Sequence, residues 1–117
     1  MSDISCVFCN IIDRKIPSSI VLENDSVIVI KDIAPKAPVH YLIVPKKHVK
    51  DMTDITHDDA SLILSMTQAV QDLARTVEPN GVFNLIVNNG AQAGQIIFHL
   101  HWHFLAGKNI YSGGFSL

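Results

Sequence analysis

The fold of this chain is decided by one stretch near its C-terminus, Phe98-His99-Leu100-His101-Trp102-His103-Phe104. Histidines alternate strictly with apolar residues, and such alternation is typical of a β-strand, whose successive side chains point to opposite faces. We therefore expect the three histidines on one face, opposite a core face formed by Phe98, Leu100, Trp102 and Phe104. Imidazole can act as nucleophile, proton carrier or metal ligand near neutral pH. The histidine face thus predicts a functional site rather than a row of merely packed or solvated histidines.

Length and composition indicate one globular domain over residues 1–117. Apolar residues make up 48% and charged residues 17% of the chain, which is enough apolar surface for a core. No apolar run approaches the roughly 18 residues of a membrane helix, and the N-terminus shows no signal-peptide pattern, so we expect a cytoplasmic protein. A net charge of −2 without a clustered basic stripe argues against a surface for duplex nucleic acid.

Apolar runs bounded by turn residues predict four further strands, Ile20–Glu23, Val27–Ile30, His40–Val44 and Val82–Asn88. The dipeptide Asn24-Asp25 indicates a two-residue hairpin between the first two. Because strands that follow each other along a chain tend to lie side by side, the pattern favours an antiparallel sheet in an α+β fold.

One long helix is predicted from about Asp58 to Val77. Its apolar residues recur at three- and four-residue steps, as Leu62, Met66, Ala69, Val70 and Leu73. Thr56 to Asp59 resembles a capping box that would start the helix, and Pro79-Asn80-Gly81 would stop it. A short turn or helix follows Cys6 at the N-terminal end.

The triad suggests covalent chemistry at phosphorus. A neutral imidazole nitrogen can attack phosphorus and form a phospho-histidine that water then cleaves, which splits one difficult displacement into two easier steps. His99 and His103 flank His101 and would orient it. Asn88 and the glycine-containing loop Gly90–Gln95 lead into the triad, and backbone N–H groups in such a loop can approach a phosphate closely.

Two cysteines, Cys6 and Cys9, form a C-x-x-C pair. With two distant histidines this spacing matches a tetrahedral Cys₂His₂ zinc site, for which His48 and His99 are the candidates. The spacing alone leaves two ordinary thiols in a turn as an equal alternative.

The chain resembles the histidine triad (HIT) family, and most of all its branch of histidine triad nucleotide-binding proteins. The resemblance is carried by His99-Leu100-His101-Trp102-His103-Phe104-Leu105 and by blocks along nearly the whole chain. These blocks are Ile11-Ile12 to Ile16-Pro17, Asp32-Ile33, Ala37-Pro38-Val39-His40, Ile43 to His48, Val87 to Gly90, and Gly94-Gln95.

The resemblance implies a homodimer of subunits that each carry a five-stranded antiparallel sheet, one long helix and a short N-terminal helix. It implies binding of purine nucleoside monophosphates and hydrolysis of nucleoside phosphoramidates, such as adenosine monophosphoramidate. His101 would attack the α-phosphorus and become transiently adenylylated. Cys6, Cys9, His48 and His99 match the zinc ligands of several bacterial relatives, so a structural zinc is favoured; no organic cofactor is implied.

The resemblance also assigns the remaining site residues. His103 would contact the phosphate, His40 would buttress the triad, and Asp32 would bind the ribose hydroxyls. Phosphate-loop positions match Asn88, Gly94 and Gln95. The apolar walls around the base match Val7, Phe8, Ile11, Ile16, Ile30 and Ile33.

Two departures from the family pattern keep alternatives open. Ile96 stands where a serine often contacts the phosphate or leaving group, and the tail Tyr111–Phe115 lacks the tryptophan that this branch can carry. One alternative is a dinucleoside polyphosphate hydrolase, as in other branches. Another is a nucleotide sensor or scaffold whose hydrolysis is incidental, and a third makes the three histidines a catalytic metal site.

Overall fold

A computed structural model describes residues 5–117 as an antiparallel sheet with helices on both faces. Residues 1–4, which belong to the N-terminal segment expected to lack a signal peptide, lie outside the described residues. The elements in chain order are α1 (Val7–Ile12), β1 (Ile20–Glu23), β2 (Val27–Lys31), β3 (Val39–Pro45), α2 (Ala60–Ala74), β4 (Asn84–Ile86) and β5 (Trp102–Ala106). The five strands are ordered β1-β2-β3-β5-β4, and every neighbouring pair is antiparallel. The expected α+β architecture with one long helix is confirmed.

Two apolar clusters cover the two faces of the sheet. Beneath α2 lies the larger cluster, which contains Val27, Val29, Ile43, Met66, Val70, Leu73, Leu100, Trp102 and Phe104. The opposite face carries α1, whose buried Phe8, Cys9 and Ile11 pack with Ile28, Ile30, Leu42 and Val44. Because alternate residues of a strand face opposite ways, β2 and β3 contribute to both clusters. His103, paired with Leu42 across β3 and β5, lies on this second face, and Phe8 of α1 packs against His99 and His101.

The capping box at the start of the long helix is confirmed. The backbone N–H of Thr56 donates to Asp59 Oδ2 (3.0 Å), and the Thr56 side chain accepts from the backbone of the first turn. The predicted helix is nevertheless shorter, since one 3₁₀ turn (His57–Asp59) precedes α2 and α2 ends at Ala74. Side chains and a returning loop take its last carbonyl groups: Thr76 Oγ1 donates to Leu73 O, and Gly81 N to Ala74 O.

The strand predicted over the whole triad is wrong in its first half. β5 begins only at Trp102, and Phe98, expected on the core face, is 47% exposed. The physical reason is that the Leu100 N–H donates to the carbonyl of Val49 (2.7 Å), in the loop after β3, rather than to a sheet neighbour. Leu100, Trp102 and Phe104 do lie in the core as predicted.

Smaller corrections concern the loops. β4 spans Asn84–Ile86 instead of Val82–Asn88. The loop between β1 and β2 has three residues rather than two, because Asn24 Oδ1 accepts from both the Ser26 and the Val27 N–H groups. No helix among residues 5–117 combines the length and apolarity needed to cross a membrane.

A matched pair of substitutions on α2 tests the position of the main core. Met66 is fully buried and Leu64 is 58% exposed on the same helix. We expect Met66→Ala to lower the free energy of unfolding by about 2–5 kcal/mol, because it leaves a cavity in the core. Leu64→Ala should change it by about 0.5 kcal/mol or less. Urea denaturation of both variants measures the difference, and equal losses would contradict the described packing.

Candidate active site

A row of paired residues crosses the sheet on the face opposite α2. Ile30 on β2 pairs with Leu42 on β3, Leu42 with His103 on β5, and His103 with Ile86 on β4. Paired residues of neighbouring strands share a face, so the register places one imidazole between apolar side chains on both sides. His40 lies in the next row, paired with Leu105.

A cavity of about 1430 Å³ opens over this face. Most of the predicted nucleotide-site residues line it: Val7, Phe8, Ile11, Ile16, Ile30, Asp32, Ile33, His40, Asn88, Gly94, His101 and His103. The structure therefore brings together residues from α1, β2, β3, β5 and the loop after β4. Two predicted residues, Gln95 and His99, lie outside the cavity lining.

Gln95 holds the loop that leads into the triad. It is 3% exposed, accepts a hydrogen bond from the Gly90 N–H (2.8 Å), and donates to the carbonyl groups of Lys50 (2.9 Å) and Ile97 (3.0 Å). Its neighbour Gly94 has φ +100°, a backbone conformation that favours glycine. Gln95 thus shapes the loop from behind, while Gly94 and Asn88 face the cavity.

The ring of His101 has a defined tautomer. Its Nδ1–H donates to the carbonyl oxygen of His99 (2.8 Å), since a carbonyl can only accept. Burial lowers the pKa of His101, although its backbone hydrogen bond and the charge of Asp32 oppose this shift. A neutral ring with a proton on Nδ1 carries its lone pair on Nε2, which is the state that a nucleophile or base requires.

A second hydrogen-bond chain sets the tautomers of His40 and His103. The backbone N–H of Lys36 donates to His40 Nδ1 (3.0 Å), so a neutral His40 carries its proton on Nε2. That nitrogen is 2.9 Å from His103 Nδ1 and 3.4 Å from Asp32 Oδ2. His40 therefore donates to His103, which leaves the His103 proton on Nε2. Burial, followed by neighbouring His101 and His40, lowers the pKa of His103 to about 4.

Nδ1 of His99 lies beside the two cysteines. The ligand atoms of Cys6, Cys9, His48 and His99 all lie within 4.8 Å of one another. Nδ1 of His99 is 3.3 Å from Cys6 Sγ, 3.5 Å from Cys9 Sγ and 3.1 Å from His48 Nδ1. Cys9 Sγ is 3.2 Å from His48 Nδ1.

These four residues fit a tetrahedral zinc ion. Ordinary zinc–ligand bond lengths place sulfur and nitrogen ligands about 3.6 Å apart and two nitrogens about 3.3 Å apart, close to the separations found here. His99 Nε2 donates to the carbonyl oxygen of Pro45 (2.7 Å), which keeps the lone pair on Nδ1, facing the cysteines. Burial lowers the pKa of His99 to about 4, so this nitrogen stays available to a metal.

The hypothesis of one metal ion held by all three triad histidines is not supported within residues 5–117. The candidate metal groups there are the Cys₂His₂ cluster and a second group formed by Asp32, His40 and His103. In that second group the proton on His40 Nε2 occupies the nitrogen that a metal would need, because Lys36 already donates to Nδ1.

Some functional contacts were missed by sequence reasoning. The Lys36 N–H and the Pro45 carbonyl fix histidine tautomers, but these are backbone groups that exist at every position and leave no residue-type signal. Ile86 and Lys108 also line the cavity. The period-two alternation around the histidine strand could have identified Ile86 if the pairing register of β4 had been known.

Comparisons with known proteins agree with this geometry. A protein-family model described as "Scavenger mRNA decapping enzyme C-term binding" matches residues 5–114. An uncharacterised HIT-like protein of Synechocystis is 39% identical over 102 residues, which are 87% of this chain and 90% of the relative.

Comparison with solved structures indicates the same family. A HIT family hydrolase from Clostridium thermocellum is 41% identical, with a TM-score of 0.87 over 92% of this chain and 95% of that one. A histidine triad protein from Clostridium difficile is 36% identical, with a TM-score of 0.86 over 93% of this chain and 96% of that one. The chain therefore belongs to the histidine triad family.

Proposed function

We propose that this protein is a purine nucleoside phosphoramidate hydrolase that acts through a covalent nucleotidyl-histidine on His101. The observation that carries the proposal is the His101 ring, which lines the cavity with its Nδ1–H tied to the backbone and its Nε2 lone pair free. Nε2 attacks the α-phosphorus, the bond from phosphorus to the amine nitrogen breaks, and the amine leaves with a proton. Water then cleaves the phosphorus–Nε2 bond and releases the nucleoside monophosphate.

The nucleotide would lie along the cavity from α1 to the triad. Its base packs against the apolar wall of Phe8, Ile11, Ile16, Ile30 and Ile33, and Asp32 accepts hydrogen bonds from the ribose hydroxyls. Asn88 and the Gly94 backbone contact the phosphate, and Gln95 supports this loop from behind. The support for this arrangement is that all but Gln95 line one cavity.

His103 would hold the phosphoryl group by donating a hydrogen bond to it. Its Nδ1 accepts from His40, so its Nε2 carries a proton that can be donated in a hydrogen bond to a phosphoryl oxygen. Ile96 also lines the cavity, but an aliphatic side chain cannot donate a proton. We therefore assign to His103, oriented by His40, the hydrogen bond to the phosphoryl oxygen, and the proton of the leaving amine comes from solvent water.

We also propose a structural zinc on Cys6, Cys9, His48 and His99, a homodimer, and a cytoplasmic location. The zinc would cross-link α1 to the loop after β3 and to the triad, without taking part in the reaction. The dimer rests on the family resemblance, and β4 offers an edge strand with a partly exposed Leu85 (40%) for a second copy.

Two alternatives are each favoured by one observation. The cavity exceeds the upper range of about 1000 Å³ for small-molecule pockets, which favours a larger substrate such as a dinucleoside polyphosphate. The absence of a hydroxyl at Ile96 favours a nucleotide sensor or scaffold whose hydrolysis is incidental.

Mixing the protein with adenosine monophosphoramidate, followed by rapid-quench mass spectrometry, tests the proposed chemistry. We expect a mass increase of one adenylyl group that maps to His101. His101→Ala should lack the adduct and lose at least about 10³-fold in turnover, because the nucleophile is gone. Diadenosine polyphosphate, assayed in parallel, distinguishes the larger substrate from the phosphoramidate.

The control for this variant is His57→Ala, which removes an exposed imidazole at the start of the long helix and should leave turnover unchanged. If the wild type and His101→Ala show the same background rate while AMP still binds, the hydrolase proposal is wrong and the nucleotide sensor is favoured.

The zinc proposal is tested by native mass spectrometry after incubation with zinc. We expect one zinc per chain in the wild type and none in the double variant Cys6→Ser, Cys9→Ser, because hydroxyl groups are poor zinc ligands. With free zinc at 1000 times its Kd, binding should raise the free energy of unfolding by about 4 kcal/mol. His57→Ala is again the control and should retain its zinc. A wild-type protein that carries no metal when zinc is supplied would contradict the assignment.

A further inference from the structure

One side chain contacts both the triad and the segment that carries the cysteines. Phe8 is 3% exposed and lies on α1 between Cys6 and Cys9. Its ring meets the His101 ring edge-on, with centroids 5.0 Å apart and planes at 69°, and it meets the His99 ring at 5.7 Å and 87°. Phe8 therefore lies against one histidine of the metal cluster and against the proposed nucleophile.

The helix that carries Phe8 is too short to be stable without contacts to the rest of the chain. α1 has six residues, whereas isolated helices shorter than about 12–15 residues are marginal in water. Cys6 caps it, its Sγ accepting from the Cys9 N–H (3.2 Å), and both sulfur atoms lie within 3.5 Å of a cluster histidine. Besides its packing in the second apolar cluster, α1 is thus held by the same atoms that would ligate a metal.

We infer that Phe8 is a positioning residue through which metal binding at the Cys6–Cys9–His48–His99 cluster fixes the His101 ring and tightens nucleotide binding. The inference rests on the proposed function and on the proposed metal site. It assigns to the metal an effect on the neighbouring site beyond stabilising the fold.

Two physical paths join the cluster to the His101 ring. A metal on His99 Nδ1 would immobilise His99, whose backbone carbonyl accepts from His101 Nδ1. A metal on both cysteine sulfurs would fix α1 and press the Phe8 ring against the edge of the imidazole. The first path holds the His101 ring through the hydrogen bond of its Nδ1, and the second holds it through its T-shaped contact with Phe8.

Thermodynamic linkage makes this inference reciprocal. If zinc tightens AMP binding by a given factor, AMP must tighten zinc binding by the same factor. Energetic coupling between sites is typically 5- to 150-fold in affinity, so we expect at least about a five-fold effect here.

The experiment measures the dissociation constant of AMP by calorimetry for zinc-loaded and chelator-treated wild type, Phe8→Leu and Ile11→Ala. In the wild type, zinc should lower the Kd at least about five-fold. Phe8→Leu keeps an apolar side chain and should still bind one zinc, but its ratio should fall clearly below the wild-type ratio, because only the path through the His99 carbonyl remains. The matched control Ile11→Ala, on the same helix, should weaken AMP binding in both forms and keep the wild-type ratio.

Two further readouts separate positioning from a general effect on the fold. The imidazole Hε1 resonance of His101, assigned by its loss in His101→Ala, should move on zinc binding in the wild type and much less in Phe8→Leu. A competition for zinc between the loaded protein and a chelator, with and without AMP, measures the reciprocal effect in the wild type and in Phe8→Leu, in which the effect of AMP on the zinc Kd should be smaller. In the wild type, AMP should lower the zinc Kd at least about five-fold.

The possible results of these experiments distinguish the inference from the proposals on which it rests. One bound zinc and normal AMP binding, with no effect of either on the other's Kd, would overturn the inference and leave a purely structural metal. Failure to bind zinc would overturn it together with the metal assignment. Reciprocal binding effects without turnover of adenosine monophosphoramidate would support the inference while removing the hydrolase proposal.

Discussion

The pairing of β3 with β5 is the constraint on which the rest of the molecule depends. It sets Leu42 opposite His103 and Ile43 opposite Trp102. A slip of one residue would turn every side chain of β5 to the other face, with Trp102 and Phe104 in the cavity and His103 beneath α2. Phe104 is fully buried between the sheet and α2. A slip that moved it to the cavity would lose hydrophobic stabilisation and is therefore unfavourable. Packing of the core on one face of the sheet thereby determines which side chains of β5 face the cavity on the other.

Backbone polar groups then give each histidine a distinct state. The carbonyl of Pro45 holds the proton of His99 on Nε2, the carbonyl of His99 holds that of His101 on Nδ1, and the Lys36 N–H leaves His40 with its proton on Nε2. Chemically identical side chains therefore differ in the ring nitrogen that keeps its lone pair, which is Nδ1 in His99 and His40 and Nε2 in His101. Because these partners belong to the main chain, side-chain substitutions elsewhere leave them in place.

The sequence predicted which helices and strands form more accurately than it predicted where each of them begins and ends. The helical periodicity placed five apolar residues on the core face, of which Met66, Ala69, Val70 and Leu73 are buried and Leu62 is half-buried against the core. Alternation placed the apolar residues of β5 correctly but failed at Phe98, because the Leu100 N–H bonds to a loop rather than to a strand. A local pattern carries no information on which distant backbone group a residue will meet. For the same reason the sequence pointed to a C-x-x-C metal site but not to the contact of Phe8 with His101.

Two large aliphatic side chains are left exposed at the cavity. Ile33 is 99% exposed and Ile96 is 84% exposed, and both line the cavity. Large aliphatic side chains lose hydrophobic stabilisation when left in water, so a cluster of them at a concave site supports a ligand that covers them. Ile33 directly follows Asp32, which would place an apolar base beside a polar ribose contact. Ile96 follows the buried Gln95, whose three hydrogen bonds hold the loop and keep the isoleucine turned outward. The loop therefore presents an apolar side chain to the cavity, and under the proposed function that side chain would contact the leaving group.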